Sequence, residues 1–156
     1  MDIVSPKKRS AMMSGIRARN TLPEMVVRSL LFNDGFRYRL HRRDLAGKPD
    51  IVLPKYHAVI FVHGCFWHLH QNCRLSKIPN SNVEFWRSKL TSNYERDQRN
   101  ITRLRDAGWR VLTVWECATR NVMARESLAD ELTCWLLGDQ LLGQIPDLNR
   151  NEYKTQ

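Results

Sequence analysis

Within eleven residues the chain places His63-Gly-Cys65-Phe66-Trp67-His68-Leu-His70-Gln-Asn-Cys73, a stretch dominated by metal ligands, acid-base groups and large aromatics. Cys65, His70 and Cys73 have spacing close to that of a zinc finger, and Cys117 adds a fourth donor from the end of a distant predicted strand. A Cys3His set completes a tetrahedral zinc site. Because protein fills all four positions, no place remains for water, and the expected Zn²⁺ braces the loop instead of catalysing. Buried free thiols beside an unrelated histidine are the competing reading; disulfides are disfavoured in a chain expected in the cytoplasm.

His63 and His68 are left over from that set, and the chemistry they suit is phosphodiester hydrolysis. Asp50 can bind a hard cation such as Mg²⁺ through a carboxylate oxygen. The main-chain carbonyl of Val62, at the end of the neighbouring strand, can share the ion with a phosphate oxygen. Charge on the scissile phosphate and the leaving oxygen is then neutralised by the cation. His68 accepts a proton from the attacking water, and Asp97 accepts the other ring N–H of His68 and fixes its tautomer. In the same scheme His63 contacts a phosphate oxygen and Glu24 holds metal-bound water. Glu24 has a second explanation, since Thr21-Leu-Pro-Glu24 carries the spacing of a helix capping box.

Phe66 and Trp67 sit between zinc ligands, in a loop too polar to bury them easily. Held rigid beside a phosphate-cleaving centre, they could insert into a base stack with Trp86 alongside. Covering the zinc site as local core is the equal alternative. Met13, in a basic N-terminal stretch, is a further candidate wedge if that stretch orders against DNA, and otherwise a stray methionine in a tail.

These residues need a frame. Ala58 to Val62 is an apolar, largely β-branched run that predicts a strand covered on both faces. Pro49 to Leu53 precedes it across a Lys55-Tyr56 turn, so the pair predicts a β-hairpin with Asp50 near one end. Phe36 to Leu40 predicts a half-exposed strand, and Trp109 to Trp115 another that leads directly into Glu116-Cys117. Thr21 opens a predicted helix that stops at Asn33-Asp34-Gly35, Asn82 caps one that runs to Ala107 and ends at Gly108, and Ser127 to Leu137 forms the last. Steps of 100° along the long helix put Asp97 among Leu90, Tyr94, Ile101 and Leu104 on the buried side, where a carboxylate needs a partner. Trp86, Lys89 and Asn93 share the adjoining flank. Residues 1–20 read as a basic arm, 21–138 as the folded domain, and 139–156 as a tail without period.

Composition agrees with one soluble domain: 42% hydrophobic and 26% charged residues in a chain of 156. Its longest apolar run is far short of a membrane span, and no apolar segment with a cleavage site opens the sequence, so the expected location is the cytoplasm. A balance of 25 Lys+Arg against 16 Asp+Glu gives +9, and residues 1–48 hold eleven of those cations against four acids. A basic arm of this kind offers counterion release on a phosphate backbone; a solvated surface is the bland reading.

Together, Arg9-Ser10, Met13, Ile16, Asn20-Thr21, Glu24, Gly47-Lys-Pro-Asp50, Phe61-Val-His-Gly-Cys-Phe-Trp-His68, Glu84-Phe-Trp86, Glu95-Arg-Asp97, Gly108-Trp-Arg-Val-Leu112 and Val114-Trp-Glu-Cys117 resemble the very short patch repair (Vsr-type) DNA mismatch endonucleases over about residues 5 to 137. The resemblance implies an α/β fold of restriction-endonuclease type, a mixed central β-sheet flanked by helices with a structural zinc. It implies Mg²⁺-dependent nicking of one strand of duplex DNA on the 5′ side of the thymine in a T:G mismatch left by deamination of 5-methylcytosine. Carried over by residue, Asp50 is the metal carboxylate, His68 the base and Asp97 its orienting partner, with His63 and Glu24 in support. Cys65, His70, Cys73 and Cys117 match the zinc ligands, and Met13, Phe66, Trp67 and Trp86 the intercalating groups. Lys89 and Asn93 match candidate base-edge contacts.

The wider nuclease superfamily usually carries an acid and a lysine on the strand after Pro-Asp, whereas Val62-His63 stands there, so Val62 contributes only a carbonyl. A lesion without two-fold symmetry suits a monomer acting near the nucleoid, with mismatch-repair and polymerase proteins as the expected partners. Two other classes stay open: a restriction endonuclease on matched duplex, and a zinc-stabilised DNA-binding protein without catalysis.

Overall fold

Ala58–His63 forms the central strand of a mixed five-stranded sheet in the computed structural model, which describes residues 20–148. The strands are β1 Arg39–Leu40, β2 Ile51–Leu53, β3 Ala58–His63, β4 Arg110–Trp115 and β5 Leu142–Ile145, side by side in that order. β1, β2 and β3 pair antiparallel, whereas β3, β4 and β5 are parallel. Among the described residues three α-helices cover the sheet: α1 Leu22–Asn33, α2 Val83–Asp106 and α3 Val122–Leu137. The predicted hairpin is present, with Ile51 opposite Ile60 and Leu53 opposite Ala58, and its connection closes at His57 in the left-handed region.

Side-chain alternation decides which face receives the chemistry. Ile51, Leu53, Ala58, Ile60, Leu112 and Val114 pack in one core with α1 and α3, while Val52, Val59, Phe61 and Val111 pack with Leu104 of α2. Side chains repeat every second residue along a strand, so His63 shares the α2 face with Phe61, and Asp50 shares it with Val52. A one-residue slip of β3 against β4 would send His63 to the other face. Burial of both cores makes that slip costly.

Helix ends follow the sequence signals. Thr21 Oγ1 accepts the Glu24 N–H at 3.3 Å, but the Glu24 carboxylate accepts the N–H of Asn20 rather than that of Thr21, one residue short of a full capping box. After α2, Gly108 has φ +90°, its N–H donates to Arg105 O, and the Trp109 N–H donates to Leu104 O. That pair of bonds is a Schellman motif, and it stops the helix where β4 must begin.

Four expectations differ from the structure. The half-exposed strand at Phe36 to Leu40 shrinks to Arg39–Leu40, because Phe36 turns into the core against Tyr56. α3 starts five residues before Ser127, where Asn121 Oδ1 caps the Ala124 N–H at 2.8 Å; the exposed Val122 and Met123 blur the helical period there. Asn82 occupies the cap position of α2 in a left-handed conformation without a side-chain capping bond. Residues 142–145, within the stretch read as a tail, form edge strand β5, whose single buried residue Ile145 leaves no alternation to detect.

Candidate active site

The parallel pairing of β3 and β4 brings the zinc-ligand candidates together. His63 lies opposite Trp115, so Cys65 and Cys117, each two residues further on, leave the sheet side by side. The Cys65 N–H donates to Glu116 Oε1 at 3.3 Å. The loop folds back through His70 N–H to Cys65 O at 3.0 Å, and the Ser76 hydroxyl bonds the carbonyls of His70 and Cys73. The His70 ring stacks on Trp115 at 4.1 Å. One donor atom from each of Cys65, His70, Cys73 and Cys117 lies within 4.8 Å of the others.

Ligand distances in a tetrahedral zinc centre, about 2.3 Å to sulfur and about 2.05 Å to nitrogen, imply a sulfur–nitrogen edge of roughly 3.6 Å. Cys117 Sγ and His70 Nδ1 are 3.6 Å apart. On this edge the cluster matches a tetrahedral centre, and it could hold a metal ion. The neighbouring Cys117 thiol and burial push Cys65 up to about 12, and burial raises Cys73. Cys134, the remaining cysteine, is exposed on α3 and outside the set.

On the α2 face, Asp50 and His68 line one cleft of about 540 Å³ together with Val62, His63 and Asp97. Asp50 Oδ2 accepts the Val62 N–H at 2.8 Å, which fixes its carboxylate against β3. His68 Nδ1 meets Asp97 Oδ2 at 2.5 Å, giving the half-buried helix carboxylate the partner it needs and leaving Nε2 for other chemistry. The His63 ring stacks on His68 at 3.8 Å, nearly parallel. Burial, then the neighbouring His68, push His63 well below the usual histidine range, so it is a neutral donor or acceptor. Arg43, Lys48 and Arg96 add positive charge to the walls of the same cleft.

Burial raises Asp50 to about 7; the Val62 N–H opposes this and nearby Glu24 adds to it. Its folded-state value lies above the unfolded one, so the folded chain binds the extra proton between about pH 4 and pH 7, and Asp50 costs stability as pH rises through that window. Asp50→Asn keeps an acceptor for Val62 without the charge. In zinc-loaded protein without added Mg²⁺, it is expected to be more stable than wild type at pH 8 by about 1–3 kcal/mol, with no difference near pH 4. Urea unfolding at the two pH values checks this, and an equal difference at both would contradict it.

Glu24 is 2% exposed, and both of its oxygens are occupied. Oε1 is 2.9 Å from His41 Nε2; Oε2 accepts the Asn20 N–H at 2.8 Å and faces the Arg28 guanidinium at 3.5 Å. Glu24, His41 and Asp50 offer donor atoms within 4.8 Å of one another. Glu24 thus lies beside Asp50, a lining residue of the cleft, as well as at the start of α1. His41 gave no signal in the sequence because it lies in a basic turn joined to Glu24 only by the fold. Arg28 was legible as a four-residue helical pair with Glu24.

The aromatic candidates form one cluster. Phe66 and Trp67 meet edge to face at 5.1 Å, and Trp86 packs edge-on behind both at 5.5 and 5.9 Å. Phe66 and Trp67 are half-buried, but Trp86 is only 7% exposed, so it backs the pair; the exposed neighbour on α2 is Phe85, at 59%. Lys89 is exposed. Asn93 donates to the carbonyl of Trp67 at 3.1 Å and accepts from Arg96 at 3.2 Å, tying α2 to the aromatic loop. Met13 and the rest of the basic arm to residue 19 lie outside the described residues.

The family model described as DNA mismatch endonuclease Vsr matches residues 1–75. The DNA mismatch endonuclease Vsr of Escherichia coli (strain K12) is 43% identical over 146 residues, covering 92% of this chain and 93% of that protein. The type II nicking enzyme V.XorIIP of Xanthomonas oryzae pv. oryzae is 48% identical over 126 residues, covering 81% of this chain and 92% of that protein. V.NmeAIP, a type II nicking enzyme of Neisseria meningitidis, is 48% identical over 128 residues, with 81% and 91% covered.

Proposed function

Since the chain belongs to the DNA mismatch endonuclease Vsr family and is a DNA endonuclease, we propose that it nicks one strand of duplex DNA 5′ to the thymine of a T:G mismatch. The observation that supports this reading is the shared cleft, which is lined both by the Asp50 carboxylate and by the His68 imidazole that Asp97 orients. Asp50 and the main-chain carbonyl of Val62 would hold Mg²⁺, which when bound supplies charge neutralisation at the scissile phosphate and the leaving oxygen. His68 Nε2 takes the proton of the attacking water as its oxygen bonds to phosphorus and the bond to the leaving sugar oxygen breaks. Asp97 keeps the other ring N–H of His68 engaged, so Nε2 stays the accepting nitrogen. His63, neutral and stacked, presents a hydrogen bond to a phosphate oxygen, and Glu24 orients water beside Asp50.

Around that centre we assign Cys65, His70, Cys73 and Cys117 to a structural Zn²⁺ in a restriction-endonuclease-like fold. Phe66 and Trp67 insert at the mismatch with Trp86 as their support, Lys89 and Asn93 reach base edges, and Met13 acts from the arm. The action of a monomer on one lesion near the nucleoid, before mismatch-repair and polymerase partners, completes the reading. No described helix is long and apolar enough to cross a membrane. Relatives named as nicking enzymes favour a single-strand cut over restriction of both strands. A strand-resolved assay on matched and T:G duplexes with Mg²⁺ tests this: one nick, in the thymine strand of the mismatched duplex only, is expected. Cleavage of both strands of matched DNA, or none of either substrate, would overturn it.

A further inference from the structure

Glu24 is a deeply buried carboxylate beside Asp50, and the two side chains that grip it have no part in the chemistry assigned so far. His41 holds Oε1 from one side at 2.9 Å. On the other side the Arg28 guanidinium lies 3.5 Å from Oε2 and is itself fixed by bonds to Asn20 Oδ1 and Met25 Sδ, each at 2.8 Å. The Asn20 N–H also donates to Oε2, at 2.8 Å. Two carboxylates with donor atoms within 4.8 Å repel unless something holds them together, and a free glutamate would swing its charge away from Asp50. A grip on both oxygens removes that escape.

We propose that His41 is a positioning residue for the catalytic cation: its Nε2–H holds Glu24 Oε1, with Arg28 behind Oε2, so that the carboxylate stays facing Asp50. The inference rests on the proposed cation site at Asp50 and assigns His41 no contact with substrate or reacting atoms. Groups that orient the carboxylates and water around a metal affect its affinity almost as strongly as the ligands themselves. Arg28 also helps to balance the charge of the buried Glu24, so its removal would disturb folding. His41 is only partly buried, in the turn before β2, and is the cleaner probe.

Mn²⁺ binding to zinc-loaded protein without DNA, followed by the electron paramagnetic resonance of free Mn²⁺, tests the proposal without reference to turnover. His41→Leu is expected to weaken Mn²⁺ binding about 10- to 100-fold, and His41→Gln, whose amide can still donate to Glu24, to return to within about threefold of wild type. Wild-type binding by His41→Leu would overturn it, and so would equal loss in the leucine and glutamine variants, which would make the imidazole itself a ligand. His41→Ala gives the same comparison if the leucine variant does not fold. Asp50→Ala separates the underlying reading: unchanged Mn²⁺ binding there would remove the cation site and this proposal with it, whereas loss there alone would remove only the role of His41.

Discussion

Asp50→Ala is expected to lower single-turnover nicking of a T:G duplex at saturating Mg²⁺ by about 10³-fold or more, equivalent to about 4 kcal/mol of transition-state stabilisation, while mismatch binding stays measurable. The substitution removes a carboxylate whose position is fixed by β3 itself, through the Val62 N–H. Glu24 cannot replace it, because both of its oxygens are already held by His41, Asn20 and Arg28. Binding survives because the basic residues of the cleft, Arg43, Lys48 and Arg96, are untouched and one negative charge facing the DNA is gone. Folding survives too, since the charge removed is one that burial already disfavours. Turnover within tenfold of wild type would take Asp50 out of the cation site.

The second large effect is on stability. Cys73→Ser is expected to reduce bound zinc and to cost more than about 4 kcal/mol of folding free energy, because a metal bound only by the folded chain adds its binding energy to folding. Catalysis should fall with it. His68 lies between Cys65 and His70 in the sequence, so an ion held by the cluster would tie the loop to β4 and with it the His68 imidazole. Cys134→Ser is the control: this thiol is exposed and outside the cluster, and neither zinc content nor unfolding should change. Elemental analysis and urea unfolding of the two variants decide the point. Equal zinc in both would remove Cys73 from the metal centre.

Much of this arrangement was legible before the fold. The apolar run Ala58 to Val62 predicted the central strand, and Cys117 was expected as a fourth donor from the end of a distant strand; that this strand lies next to β3, with Trp115 opposite His63, came only from the fold. Asp97 was visible as a carboxylate on the buried flank of a helix, which required a partner that proved to be His68. His41 was not visible, because its link to Glu24 spans 17 residues and depends on how β1 leads into the turn before β2. β5 was missed for a different reason: an edge strand with one buried residue has no period. Trp86 shows the limit of residue type, since a tryptophan beside a wedge supports it from below as readily as it enters a base stack, and only burial separates the two.

That a cation held at Asp50 and a base at His68 act on one and the same phosphate can be tested by replacing each nonbridging oxygen of that phosphate in turn with sulfur and measuring single-turnover nicking in Mg²⁺ and in Mn²⁺. A cation in direct contact predicts that one of the two sulfur diastereomers is nicked slowly in Mg²⁺ and recovers in Mn²⁺, which accepts sulfur more readily. Nicking of both diastereomers in Mg²⁺ at the rate of the oxygen substrate would contradict it.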